Sequence, residues 1–356
     1  MTTIIDGGAA SSAPISVLDG GTATVLGSLT FPGPPQLPAT EPRTDPRTLS
    51  LESLDGSMVI PLGQDVEHLL LGGATGLMLP PIDVVTSTTP GMVGSWLQQV
   101  VTLEREVFLP IKFVSEVSYA AFIADLGRLI DLVSGWDDIT IGQLGTFRLV
   151  ASSPEQEDRV LTVTYKSGWE GVWGVAGGGG SSTGTLAGPT WEQIGLTLIA
   201  VDPYWRARDP EVLTFRTPAE NPVFLGTGDN THPWPRQISA SEVIGNAMPI
   251  MVGGDVPVWA TVTVDGFVSQ ATISWPGTSV TVPAGVPDGS SLVLNTDLRN
   301  RSARMNGAIA WSSLTMGSTF APLVPGINSV DVNVGTSGPN TGLTLSWTPG
   351  WRSAFG

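Results

Sequence analysis

Beyond about residue 210, apolar residues recur at every second position, in short runs broken by glycine, proline and Asn-Gly. The runs are 258–265, 267–274, 278–282, 290–295, 308–312, 328–334 and 342–348. A period of two places alternate side chains on opposite faces of a strand, and no helix can use that pattern. Short strands in this number, spaced by turn signals, describe an antiparallel sandwich. Asn306-Gly307 between apolar neighbours signals a type I′ hairpin turn, which needs positive φ at both central residues. With 44 Gly and 29 Pro in 356 residues, turn-rich β structure is favoured over a helical bundle.

The first 210 residues are less uniform. Residues 1–48 are rich in Gly, Pro, Ala and Thr around Phe31-Pro-Gly-Pro-Pro-Gln-Leu-Pro38. Such a stretch builds no core of its own and reads as a disordered tail or as an arm ordered on a neighbouring subunit. Residues 57–62 and 101–113 read as strands. In the second, Val101, Leu103, Val107, Leu109, Ile111 and Phe113 share one parity. Arg105 falls on that apolar face, as a buried ion-pair partner or an exposed edge charge. A helix is expected where Tyr119, Phe122, Ile123, Leu126, Ile130 and Val133 recur at helical spacing, with Ser118 as N-cap and Gly135 beyond the C-terminus. Thr146–Ala151 and Arg159–Lys166 read as a hairpin, and Ile194–Val201 as a further strand. The reading divides the chain into an extended arm (1–48), a domain at 49–210 and a sandwich at 211–356.

Composition removes several functions. The net charge is −16, with 10 basic and 23 acidic residues in 1–210 against 6 and 9 in 211–356. Nucleic-acid and anionic-membrane surfaces would repel such a chain. Absence of cysteine removes thiol nucleophiles, thiolate metal sites and disulfides. The uncharged runs 20–40 and 266–287 are broken by Pro, Gly, Ser and Thr, so neither reads as a membrane helix. Residues 1–6 lack a basic n-region and predict no signal peptide. The histidines, His68 and His232, stand in no metal or nucleophile motif and read as surface or turn residues. The run Gly177–Gly184 has no following Gly-Lys-Ser/Thr and is not a phosphate loop. No carboxylate pair stands out among 32 acids, so no catalytic, cofactor or metal residue is assigned.

Twelve tryptophans are the most unusual count. Trp259, Trp275, Trp311 and Trp347 lie in strand contexts and read as structural. Trp169, Trp173 and Trp234 lie among Gly and Pro and are the surface candidates, for stacking on a glycan or for a subunit interface.

Several segments, taken in order, carry a resemblance. They are Gly94-Ser-Trp96-Leu-Gln98, Glu104-Arg105 opening a strand, Gly168-Trp169-Glu, Trp191 and Asp202-Pro203-Tyr204-Trp205-Arg206. Later come Leu323-Val-Pro325-Gly326-Ile-Asn328 and Trp347-Thr-Pro-Gly-Trp351. Together they resemble phage distal tail proteins. The resemblance implies a mainly β protein: an N-terminal α+β ring domain with one main helix, followed by a galectin-like antiparallel β-sandwich. It implies a non-enzymatic virion protein of the tail tip, assembled in the host cytoplasm and forming a hexameric ring that lets DNA pass. The implied partners are other copies of itself, the tail tube protein, the tail-tip hub protein and the tape measure protein. A carbohydrate-binding adhesion module recognising host surface glycan is the alternative.

Overall fold

The structure is a computed structural model that describes residues 16–17, 24–25, 46–63, 68–91, 93–115, 119–134, 145–169, 190–216, 247–335, 337–338 and 341–356. Most of the arm, Ser118, Gly135, Trp173, the glycine run, His232 and Trp234 lie outside the described residues. Within a unit spanning Met1–Pro46, Ser16–Val17 (β1) pairs antiparallel with Thr24–Val25 (β2). Residues Arg47–Gly356 form a second unit with two hydrophobic cores.

The first core lies under a sheet built from Thr48–Glu52 (β3), Val59–Leu62 (β4), His68–Leu70 (β5), Arg105–Ser115 (β8), Thr146–Ser153 (β9), Gln156–Ser167 (β10) and Thr190–Ala200 (β11). The strand order is β4-β3-β9-β10-β11-β8-β5, with every neighbouring pair antiparallel. Val107, Leu109, Ile111 and Phe113 alternate into the core as the period of two requires. The helix Tyr119–Val133 (α1) covers this face with Phe122, Leu126, Leu129, Leu132 and Val133. That face is rotated from the expected stripe: Ile123 and Ile130 are exposed, because Leu129 and Leu132 take the inner positions. His68 is also inside rather than at the surface. It stands edge-on to Phe113 at 5.0 Å, with Nε2 3.0 Å from Asp125 Oδ2 on α1.

The expected strand 101–113 is two strands. Ile82–Ser87 (β6) and Trp96–Thr102 (β7) form a separate two-stranded ribbon, and the chain turns at Leu103-Glu104 before β8 enters the main sheet. Val101 and Leu103 are therefore exposed.

The second core is a sandwich of two antiparallel sheets. One contains Glu211–Arg216 (β13), Ala260–Asp265 (β15), Ser291–Asn295 (β18), Ser302–Met305 (β19), Ala308–Ile309 (β20) and Gly342–Trp347 (β22), in the order β13-β22-β15-β18-β19-β20. The other contains Met248–Val252 (β14), Ala271–Trp275 (β16), Thr278–Val282 (β17) and Gly326–Val334 (β21), in the order β14-β21-β16-β17. Val262, Val264, Ile273, Val280, Leu294, Val332 and Leu345 fill the space between them. Asn306 and Gly307 have φ of 50° and 83°, and join β19 to β20 as the type I′ signal requires. Trp275 and Trp347 are core residues, but Trp311 is not. It sits in a 3₁₀ turn, Trp311–Ser313, past the edge strand β20 and is substantially exposed.

After β22 the chain returns to the first sheet. Gly350–Trp351 (β23) pairs with Trp205–Ala207 (β12), which itself pairs with β10. Ala354 is buried in the first core, and Trp351 and Phe355 pack against it.

Candidate interaction surface

The β6–β7 ribbon stands outside both cores. Its register is Ile82↔Thr102, Asp83↔Val101, Val84↔Val100 and Val85↔Gln99, then Thr86↔Leu97 and Ser87↔Trp96. Gln98 is the extra residue. A bulge of one residue reverses the facing of everything beyond it on that strand. Leu97 is thereby placed on the same face as Val100, Val84 and Ile82, although its sequence parity is opposite to that of Val100. These four are 63%, 50%, 47% and 56% exposed. The other face holds Val85, Val101 and Trp96 with Asp83 and Gln99. A contiguous aliphatic face on an isolated two-stranded ribbon is marginal in water and marks a contact site.

Arg105 stands where the ribbon joins the main sheet. It is completely buried, and neither reading offered by the sequence describes it. Its Nε donates to Pro203 O at 2.7 Å, Nη1 to Gly76 O and Met78 O, both at 2.7 Å, and Nη2 to Arg352 O at 2.5 Å. Four of the five guanidinium donors thus meet backbone carbonyls, and among the described residues no carboxylate pairs with it. Burial pushes its pKa down to about 10, which still leaves it charged at neutral pH. Gly76 has φ of +82°, and a Cβ there would lie 2.0 Å from Glu106 O, so the turn that presents its carbonyl requires glycine.

The Asp202-Pro203-Tyr204-Trp205 segment is organised around this point. Pro203 supplies the carbonyl, and Trp205 is fully buried in the first core. Tyr204 donates its hydroxyl to Thr102 Oγ1 of β7 at 3.2 Å. Asp202 accepts from Arg206 at 2.8 Å and, across to the sandwich, from Arg299 at 3.2 Å. Glu104 is exposed at the turn before β8. On the sheet face away from α1, Lys112 lies over the Trp191 ring at 4.7 Å. Trp351 carries the Arg159 guanidinium at 4.6 Å from its ring centre, and Arg159 donates to Ser353 O at 2.9 Å and to a Gly356 oxygen at 2.8 Å. In the sandwich Asn328 is buried, and its amide closes the Pro325-Gly326 turn. Nδ2 donates to Val324 O at 2.6 Å and Gly326 O at 3.2 Å, and Oδ1 accepts from the Val324 N–H at 3.2 Å.

Trp169 is half-buried rather than free. With Tyr165, Leu126, Ile130, Val133 and Glu192 it lines a groove of about 330 Å³ at the end of α1. Glu192 lies opposite Phe113 on the core side of the sheet, and desolvation raises its pKa. The structure therefore gathers Arg105, Pro203, Tyr204 and Trp205 at the ribbon base. Trp96 stands on the ribbon itself, and Trp169, Trp191 and Asn328 stand elsewhere. Sequence reasoning passed over Ile82, Val84, Leu97 and Val100, the aliphatic face of the ribbon; Ile82 and Val84 show only an alternation shared with core strands, and the bulge puts Leu97 out of phase with Val100.

Residues 253–351 match the family model of the siphovirus-type tail component, C-terminal domain. The match contains Pro325, Gly326, Asn328 and Trp351, whereas Trp96 through Trp205 lie outside it. Among solved structures, the SPP1 Dit protein aligns with a TM-score of 0.54 and 12% identity, over 85% of this chain and 98% of that one. That protein is described as a paradigm of the hub adsorption apparatus in phages infecting Gram-positive bacteria. A chain of the phage P2 baseplate in its activated conformation with Ca aligns at a TM-score of 0.45 and 8% identity, over 85% and 98%. The corresponding form with Sr aligns at 0.44 and 9%, over 85% and 97%. No curated protein sequence matches the chain. Sequence over 253–351 and fold over most of the chain thus converge on the phage distal tail proteins.

Proposed function

We propose that this protein is a structural, non-enzymatic component of a phage tail tip, working as a closed ring of copies. The observation that carries the reading is the β6–β7 ribbon, whose aliphatic face has no partner within the described chain. A surface patch on one copy that fits a different patch on the next generates a ring when the rotation closes. The resemblance to distal tail proteins makes six the expected number. It also makes the tail tube, tip hub and tape measure proteins the expected neighbours. The excess of acids in residues 1–210 suits a lumen through which DNA slides without sticking, since the duplex carries about one negative charge per 1.7 Å.

Native mass spectrometry and light scattering of the purified chain test the reading. A ring gives a defined multiple, near six, of 37.1 kDa. Leu97→Asp, on an exposed face that contributes nothing to either core, should leave a folded protein of lower mass. A wild-type chain that stays monomeric at all concentrations would overturn the ring.

A further inference from the structure

We propose that Arg105 couples the β6–β7 ribbon to the segment that follows β23, so that loosening either one loosens the other. The two outgoing legs of the ribbon meet at this residue. Gly76 and Met78 precede β6, and Arg105 itself follows β7 by three positions. The carbonyls of three successive residues are shared between the guanidinium and the C-terminal segment. Gly76 O and Met78 O accept from Arg105, and Leu77 O, between them, accepts from the Ala354 N–H at 2.8 Å. The fourth donation by Arg105, to Arg352 O, returns to that same segment.

The chemistry makes this a two-way connection. A guanidinium is a rigid planar fork, so its donors cannot follow one acceptor without leaving the others. The guanidinium itself is shut off from water, so a donor that loses its carbonyl has no substitute. Each segment therefore holds the fork in the geometry the other needs, and a coupling of this kind is reciprocal. The link continues into the sandwich. Only Thr348 and Pro349 separate β22 from β23, and Asp255 takes the Arg352 N–H at 2.8 Å. If the ring reading holds, a neighbour that orders the ribbon also tightens the hold on the sandwich.

Hydrogen exchange of the full-length chain, read by mass spectrometry, tests the coupling in whatever oligomeric state the protein adopts. Failure of the ring reading is seen in the mass, and failure of the coupling in the exchange. Removing residues 352–356 should speed exchange at the ribbon base, residues 75–82 and 100–105, by about tenfold, within the range usual for coupled sites. Arg105→Lys keeps the charge but loses the fork. It should speed exchange at the ribbon base and at 350–356 together, while amides of β9 and β10 keep their protection. Acceleration of one region without the other overturns the proposal. So does uniform loss of protection through β9 and β10, since Arg105 would then hold the whole sheet rather than link two segments.

Discussion

Trp205 and Trp351 lie directly opposite each other in the β12–β23 pairing, one fully buried and the other capped by the Arg159 guanidinium. The pair joins the sheet over the first core to the chain leaving the sandwich. Trp205→Ala removes a large buried side chain and should cost about 3–5 kcal/mol in urea unfolding. Trp351→Ala loses partial burial and the cation contact, and should cost about 1–2 kcal/mol. The two losses should not add, because the residues touch.

Gly168 has φ of +106°, and a Cβ there would stand 1.8 Å from Gly195 O. Backbone cannot yield as a side chain can, so Gly168→Ala should destabilise by about 3 kcal/mol or more. At Gly195 the nearest atom to a Cβ is Phe108 Cε2 at 2.9 Å, on a partly exposed side chain able to rotate. Gly195→Ala should therefore be the milder change, and thermal unfolding of the two variants makes the comparison.

The sandwich strands were legible because each alternates over a half-buried surface, and pairing only confirms a period already present. The helix was legible in position but not in rotation: Ile123 and Ile130 are as apolar as the Leu129 and Leu132 that displaced them. The break at Leu103-Glu104 left no local trace. Val101 pairs with Asp83 and Val107 with Leu198, and partners so far apart in sequence are not encoded by alternation. The role of Arg105 was hidden for a related reason. Its acceptors are main-chain carbonyls of residues 76, 78, 203 and 352, which carry no side-chain signal. Asn328 was singled out by its turn, and there the structure supplies a local mechanism.

Asp55 and Glu192 should act on stability with opposite signs. Asp55 accepts from Ser53 Oγ at 2.6 Å, Ser57 Oγ at 2.8 Å and the Ser57 N–H at 3.0 Å, which lowers its pKa to about 2. Its contribution is present above the unfolded value near 3.8 and is lost as pH falls through about 2. Glu192 is raised above 4.5 by desolvation. The folded state then binds more protons than the unfolded chain, so stability falls as pH rises from 4.5 through the folded value. Glu192→Gln should remove that fall and leave the acid limb unchanged. NMR titration of the two carboxyls, with unfolding followed from pH 2 to 7, checks both signs.

Asn328→Ala should cost about 2–3 kcal/mol, because the Val324 and Gly326 carbonyls and the Val324 N–H lose their partner beside a buried position. Asn328→Asp keeps the acceptor and loses the donors. It sets a carboxylate against two carbonyl oxygens and should be at least as damaging at neutral pH, recovering in acid. Unfolding of both variants at pH 7 and pH 4 separates lost hydrogen bonds from charge repulsion.

The bulge at Gln98 gives the ribbon a test that changes no apolar residue. Deleting Gln98 removes the bulge but leaves Leu97 opposite Thr86 and Trp96 opposite Ser87, so both keep their faces, as do Ile82, Val84 and Val100. The aliphatic face then keeps all four of its residues and loses only the bend and extra twist of the bulge. If any apolar ribbon suffices for self-association, the deletion is silent. If the neighbouring copy reads the shape that the bulge gives this face, the assembly should shift to lower mass at equal concentration, as in Leu97→Asp. Circular dichroism should remain that of the parent, because neither core includes a ribbon residue. An assembly of parental mass and stability would show that shape on this face does not choose the partner.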